Sequence, residues 1–348
     1  MEANVTHSVF GRMPDGTEVE RYALTNSNGF CCKVITYGAA ITELDVPDRT
    51  GKLGDVVLGF DNLPQYLKYS WCFGAVCGRV ANRISNGSFS IDGKTFTLPK
   101  NEGRNTLHGG IVGFNKIVWK AEGFVSHDGP SVVLSHLSPD GDEGFPGNLN
   151  VTTIYTLTND NTLRIEYVAT TDKPTAVNLT NHSFFNLGCT GNVLNHILRL
   201  NATTYTPTDG QLIPTGEILG VANGSLDFTS PKPIGRDVKN LPGGRLGYDN
   251  NFVIDRSSRK MALAANVYEP TTGRTMEVFT DQPAVQLFTC YSFDGIVGKR
   301  DWAYPLYAGF CLETQHFPDS VNRPQFPSTI LRPGETFRSI TIYKFSTR

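Results

Sequence analysis

The sequence predicts an all-β protein, a large antiparallel β-sandwich with few short helices, built as one domain over residues 1–348. Three observations carry this. Short runs of alternating apolar and polar residues recur along the chain, the period of a half-buried strand. Turn formers are plentiful, with 35 Gly and 20 Pro, and 21 Phe and 13 Tyr supply the bulky residues that pleated surfaces favour. No segment of about 12 or more residues sustains helical periodicity. The chain is long for one domain, yet no composition break, repeat or low-complexity linker divides it, and the pattern reads as a sandwich rather than a small barrel.

Taken in order, Phe30-Cys31-Cys32-Lys33-Val34-Ile35-Thr36-Tyr37 reads as a strand that leads through Gly38 to Ile41-Thr42-Glu43-Leu44-Asp45-Val46, where Pro47-Asp48 stops it. Leu63-Pro64-Gln65-Tyr66-Leu67-Lys68-Tyr69 is the clearest helix, and it is short. Asp92-Gly93 between two alternating runs (88–91 and 94–98) is the two-residue signal of a type I′ hairpin. The strongest alternation spans 149–157. It turns at Asn159-Asp160-Asn161 and returns with Leu163, Ile165, Tyr167 and Ala169 on one face and Arg164, Glu166 and Val168 on the other. The long Gly/Pro-rich connections 140–147 and 210–227 are where such a scaffold could form a site.

Bulk properties narrow the function. A net charge of -2 with 18% charged residues gives no electrostatic reason to expect nucleic acid or an anionic membrane as a partner. No apolar run approaches the roughly 20 residues of a membrane helix, and the opening residues show no leader pattern. Seven scattered cysteines without a CxxC pair point to reduced thiols and a cytoplasmic location. GxxxxGK[ST] and GxGxxG phosphate loops are absent. His108-Gly109-Gly110 resembles an esterase oxyanion loop but has no GxSxG partner, and the seven histidines lack HxH or HExxH spacing. The reading therefore expects no metal and no cofactor.

Five polar clusters interrupt the apolar pattern: residues 78–84 with Arg79, Asn82 and Arg83; 105–110 with His108; 177–187 with His182; 247–252 with Asp249; and 309–315 with Glu313. In this order, and together with 138–147 and 281–286, they resemble the aldose 1-epimerase (galactose mutarotase) family from about Phe10 to the C-terminus. The resemblance implies a large sandwich with a cleft on one face and the interconversion of α- and β-anomers of a free hexose such as galactose or glucose. Carried over position by position, Glu313 is the general base at the C1 hydroxyl and His182 the general acid at the ring oxygen. Asn82, Arg83, His108, Asp249 and Gln286 fall on sugar-holding positions. The partner is a small-molecule sugar, and the protein is expected as a monomer or weak homodimer.

The chemistry is self-consistent, since ring opening needs one base and one acid and neither oxidant nor metal. A carboxylate is ordinarily charged at neutral pH and an imidazole is poised to be protonated. Each residue also has a plainer reading. Glu313 could be a buried ion-pair partner, His182 a core histidine, His108 a turn residue, Arg83 a partner of a surface carboxylate, Asp249 an Asx-turn residue and Gln286 an ordinary strand amide. Phe184, Phe185 and Trp71 are read as core rather than as a platform for a sugar face. The chain departs from the family pattern at Asn250, where relatives carry histidine, and at Thr289-Cys290-Tyr291, which replaces Thr-Gly-Asn; Asn115 and His316 sit in slightly altered contexts. The alternatives are another hemiacetal or a sugar phosphate as substrate, non-catalytic carbohydrate binding, and glycoside hydrolysis by Asp249 and Glu313, which leaves His182 idle.

Overall fold

The computed structural model describes residues 2–69, 71–256, 261–293 and 295–348. Three antiparallel sheets dominate it. The first runs in chain order through Asn4–Arg12, Glu18–Thr25, Cys31–Ile35, Ala40–Pro47 and Leu53–Asp55. The second has nine strands, with Leu149–Leu157, Thr162–Thr171 and Phe337–Thr347 at its centre. The third orders its strands as Leu219–Gly220, Thr204–Thr206, Asp249–Val253, Ala284–Thr289 and Phe310–Gln315.

One apolar core joins all three. Leu24, Val34 and Leu44 come from the first sheet, Val151, Ile165 and Tyr343 from the second, and Phe252, Leu287 and Leu312 from the third. Across the layers, the Tyr343 hydroxyl donates to the Leu312 carbonyl at 3.3 Å. The expected sandwich is therefore present, with the third sheet lying on the nine-stranded one.

The local predictions hold where a short-range signal existed. Asp92 and Gly93 both adopt positive φ, 52° and 79°, between strands Ser88–Ile91 and Lys94–Thr97, as a type I′ turn requires. Leu163, Ile165, Tyr167 and Ala169 are buried in one row, and Arg164, Glu166 and Val168 are partly exposed. The helix Leu63–Lys68 begins at Asn62, whose side chain accepts from the Gln65 N–H, with Pro64 in its first turn. Among the described residues no helix is long and apolar enough to cross a membrane.

The connections 140–147 and 210–227 behave differently from the expectation, since neither lines the main cleft. The first supports it from behind. The Glu143 carboxylate accepts from the Ile111 N–H at 2.6 Å and the Val112 N–H at 3.2 Å, holding the loop that follows His108. Arg79 anchors the same connection. Its buried guanidinium donates to the Ser138 hydroxyl and to the carbonyls of Ser138, Pro139 and Pro146, all within 2.9 Å. All these partners are neutral, and burial pulls its pKa down to about 10.

Candidate active site

Period-two alternation sets the floor of the cleft. Along Phe310–Gln315, Phe310 and Leu312 enter the core, which turns Cys311 and Glu313 to the other face. Val285 and Leu287 do the same for Gln286 and Phe288, and Phe252 does it for Asp249 and Asn251. Register then aligns these faces: Asn251 pairs with Gln286 and Gln286 with Glu313, while Asp249 pairs with Phe288 and Phe288 with Cys311. Residues far apart in sequence thus stand in two adjacent rows.

His182 arrives from a separate segment locked by its backbone. Its N–H donates to the Ala75 carbonyl at 2.9 Å and its carbonyl accepts from the Gly74 N–H at 3.0 Å. Asn181 reinforces this by donating to the Gly74 carbonyl and accepting from Ser183. His182 Nε2 lies 3.6 Å from Glu313 Oε1, and its Nδ1 is 3.5 Å from the Cys311 thiol. Phe184 and His108 pack on the ring with centroids at 4.8 and 5.1 Å.

The remaining wall comes from loops. Gly109, at φ 90°, has no room for a Cβ, which would collide with the Gly78 carbonyl, so His108 is carried close against the 78–83 segment. His108 Nδ1 accepts from the Asn82 N–H at 3.2 Å, which leaves the ring proton on Nε2 as a donor. Arg83 is gripped by Glu102 through two bonds of 2.6 and 2.7 Å and stands 3.7 Å from Asp249. Asp249 accepts from Gln286 Nε2 at 2.5 Å. The cavity measures about 250 Å³, and Trp71, Phe288, Tyr291 and Phe293 form its aromatic side.

Burial reorders the protonation expected from free side chains. Glu313 is pushed well above the usual carboxylate range by desolvation, with Asp249 adding to it and Arg83 opposing. Desolvation pulls His182 down to about 4 and His108 well below its ordinary value, the latter also repelled by His182 and Arg83. Burial thus disfavours the charged form of both groups, opposing the charged carboxylate and protonated imidazole that free side chains would give. Burial alone would lower Arg83, but Asp249 and Glu102 hold it above its usual value.

Of the seven site residues read from sequence, six line the cleft: Asn82, Arg83, His108, His182, Asp249 and Glu313. Gln286 does not. It lies in the floor, 3% exposed, and bonds to Asp249 from beneath. The plainer reading of Arg83 is also present, because Glu102 occupies its fork. Trp71, read as core, is 47% exposed on the cleft wall, and Phe184 reaches the cleft from the core while Phe185 stays within it. Asn250 is not on the wall, whereas Tyr291 is. Glu102, Phe288 and Phe293 were missed. Only Glu102 carried a signal, in the polar turn Asn101-Glu102-Gly103-Arg104 just before the His108 cluster.

Among the described residues, His108, His182 and Glu313 are the one group whose ligand atoms lie close enough, within 4.8 Å, to hold a metal ion. The Asn82 N–H opposes that use, since it turns a proton of His108 rather than a lone pair toward the cleft.

A β-sandwich with a polar cleft on one sheet face, an aromatic wall, and a buried carboxyl 3.6 Å from an imidazole fits a class of carbohydrate-handling acid–base proteins. Comparison narrows the class to a family. The aldose 1-epimerase profile matches residues 20–344. The chain is 44% identical over 347 residues to the galactose mutarotase of Bos taurus, covering 99% of both, and 36% identical over 337 residues to the aldose 1-epimerase of Escherichia coli, covering 95% of this chain and 96% of that one. The structure of galactose 1-epimerase from Lactobacillus acidophilus superposes with a TM-score of 0.87 at 27% identity, covering 99% of each chain. The chain belongs to the aldose 1-epimerase family.

Proposed function

We propose that the protein is a mutarotase that interconverts the α- and β-anomers of free hexoses such as galactose and glucose, working as a single sandwich domain with no cofactor. The observation that carries this is the His182–Glu313 pair, 3.6 Å apart and buried at the base of a polar cleft. Glu313 takes the C1 hydroxyl proton while His182 gives a proton to the ring oxygen. The C1–O5 bond breaks, the C1–C2 bond of the open aldehyde turns, and reclosure on the other face returns both protons.

This assignment needs Glu313 as carboxylate and His182 as imidazolium, the forms that burial disfavours in both residues. The sugar offsets that penalty. Glu313 Oε1 faces His182 Nε2 at 3.6 Å, and a C1 hydroxyl donating to it stabilises the carboxylate. The ring oxygen in turn accepts from the imidazolium. Asn82, Arg83, His108 and Asp249 hold the other hydroxyls, and Gln286 keeps Asp249 in place. The free state of all seven cysteines supports a cytoplasmic setting.

Polarimetry on freshly dissolved α-galactose and α-glucose tests the reading. Wild-type protein is expected to accelerate anomerisation, with Glu313→Gln and His182→Asn each lowering the rate by about 10²–10⁴-fold while keeping the wild-type circular dichroism. No acceleration by folded wild-type protein would sink it.

A further inference from the structure

We propose that the chain carries a second binding site, a cationic pocket that takes a small phosphate-bearing ligand. This cavity measures about 440 Å³, against about 250 Å³ for the cleft, and no residue lines both. Its wall presents four cationic side chains, Lys52, Arg274, Lys299 and Arg300, against two carboxylates, Asp48 and Asp55.

Neither carboxylate pairs directly with the buried guanidinium of Arg274, which Asp48 meets only through a longer-range attraction. Asp55 is committed to Lys299 at 2.5 Å. Asp48 Oδ1 is turned into its own loop, accepting from the backbone of Thr50 and Lys52. Arg274 is 3% exposed and donates only to carbonyls, those of Val46 at 3.0 Å, Leu187 at 3.0 Å and Lys52 at 3.2 Å. Among the described residues no carboxylate lies within ion-pair distance of it. Three dipoles orient this charge without cancelling it, and each terminal nitrogen keeps one N–H unused. A buried cation in that state is stabilised by an anion arriving from solution.

Phosphate fits better than a carboxylate ligand, because its oxygens can engage the Arg274 fork and the exposed Lys52 and Arg300 together. Gly54 lines the cavity beside the guanidinium and packs closely against it. A Cβ there would come within 2.6 Å of Arg274 Nη2 and 2.8 Å of Cys189 Sγ, closing the wall. Trp302, partly exposed beside these groups and edge-on to Tyr304 at 4.9 Å, offers a ring face to the organic part of a phosphate ester.

Isothermal titration of the full chain with inorganic phosphate and with glucose 6-phosphate, each repeated in excess free galactose, tests the site. One equivalent of phosphate-bearing ligand is expected to bind regardless of galactose. The Lys52→Glu/Arg300→Glu double variant should lose at least about tenfold in affinity while anomerising galactose at the wild-type rate. Those two side chains are exposed, so the test does not depend on whether an Arg274 variant folds. Tighter binding of the ester, weakened by Trp302→Ala, assigns the site to a sugar phosphate; equal affinities assign it to free phosphate. Absence of binding, displacement by galactose, or unchanged affinity in the double variant would overturn the proposal.

Discussion

Tyr291, which the sequence reading marks as a departure, lines the cleft. Its ring packs edge-on against Phe288 with centroids 5.4 Å apart, and Gly247 leaves the space beside it, since a Cβ there would come within 2.5 Å of the ring. Its phenol shares the electrostatic field of Asp249 and Arg83. Tyr291→Asn is expected to change the ratio of kcat/KM between galactose and glucose by about 3–10-fold, an effect of roughly 1 kcal/mol. The rate on the preferred sugar should change far less than in Glu313→Gln. Equal changes on both sugars would refute a role in selection. At this scale the sequence was partly legible. His182, Glu313 and Tyr291 were recognisable by their motifs, but the upward shift of Glu313 was not, because burial is a property of the assembled layers. Gln286 could not be set beneath Asp249 for the same reason.

Elements explain how a loop wall stays in position above a strand floor. The loop following His108 rests on the Glu143 carboxylate, and the connection bearing Glu143 rests on Arg79. Glu143→Ala should free the loop and raise KM by on the order of tenfold, corresponding to about 1–2 kcal/mol for lost charge-assisted bonds, with kcat less affected. Steady-state kinetics on galactose read this directly, and an unchanged KM would show that the loop holds itself. Hairpins such as 88–97 could be read in advance because both strands and their turn are contiguous. The pairings of Asp249 with Phe288 and of Gln286 with Glu313 could not, because they join distant segments. The supporting role of 140–147 was hidden likewise; the sequence marks it as a long connection but not as a prop.

For the whole molecule, the deciding quantity is how many titratable groups the fold takes out of water. His182, His196 and His316 are each held down to about 4, in every case first by burial. Their unfolded value is 6.5, so below that pH the unfolded chain binds protons that the folded chain refuses. Stability is therefore full above pH 6.5 and declines as pH falls from 6.5 toward 4, by up to ~3 kcal/mol per histidine. Urea midpoints at pH 7.5, 6, 5 and 4.5 should show the fall, and His196→Gln should flatten it. Glu313 works in the opposite sense. Its raised value favours the fold below pH 4.5 and disfavours it as pH rises through the folded value, so Glu313→Gln should be more stable than wild type at pH 7.5. Equal midpoints for the two proteins would contradict the burial assigned to that carboxyl.

The strands that supply the cleft floor have a consequence for how such a protein changes over evolutionary time. Leu312 and Glu313 share one strand, as do Leu287 and Gln286, so the positions that hold the layers together adjoin those given the proton transfer and its support in the proposed mechanism. Drift in the floor is penalised twice, once in folding and once in catalysis. Trp71, Glu102 and Tyr291 stand outside the strands and bear only the second penalty. On the proposed mechanism, substitutions at the rim change which sugar is taken while leaving the proton chemistry of the floor intact.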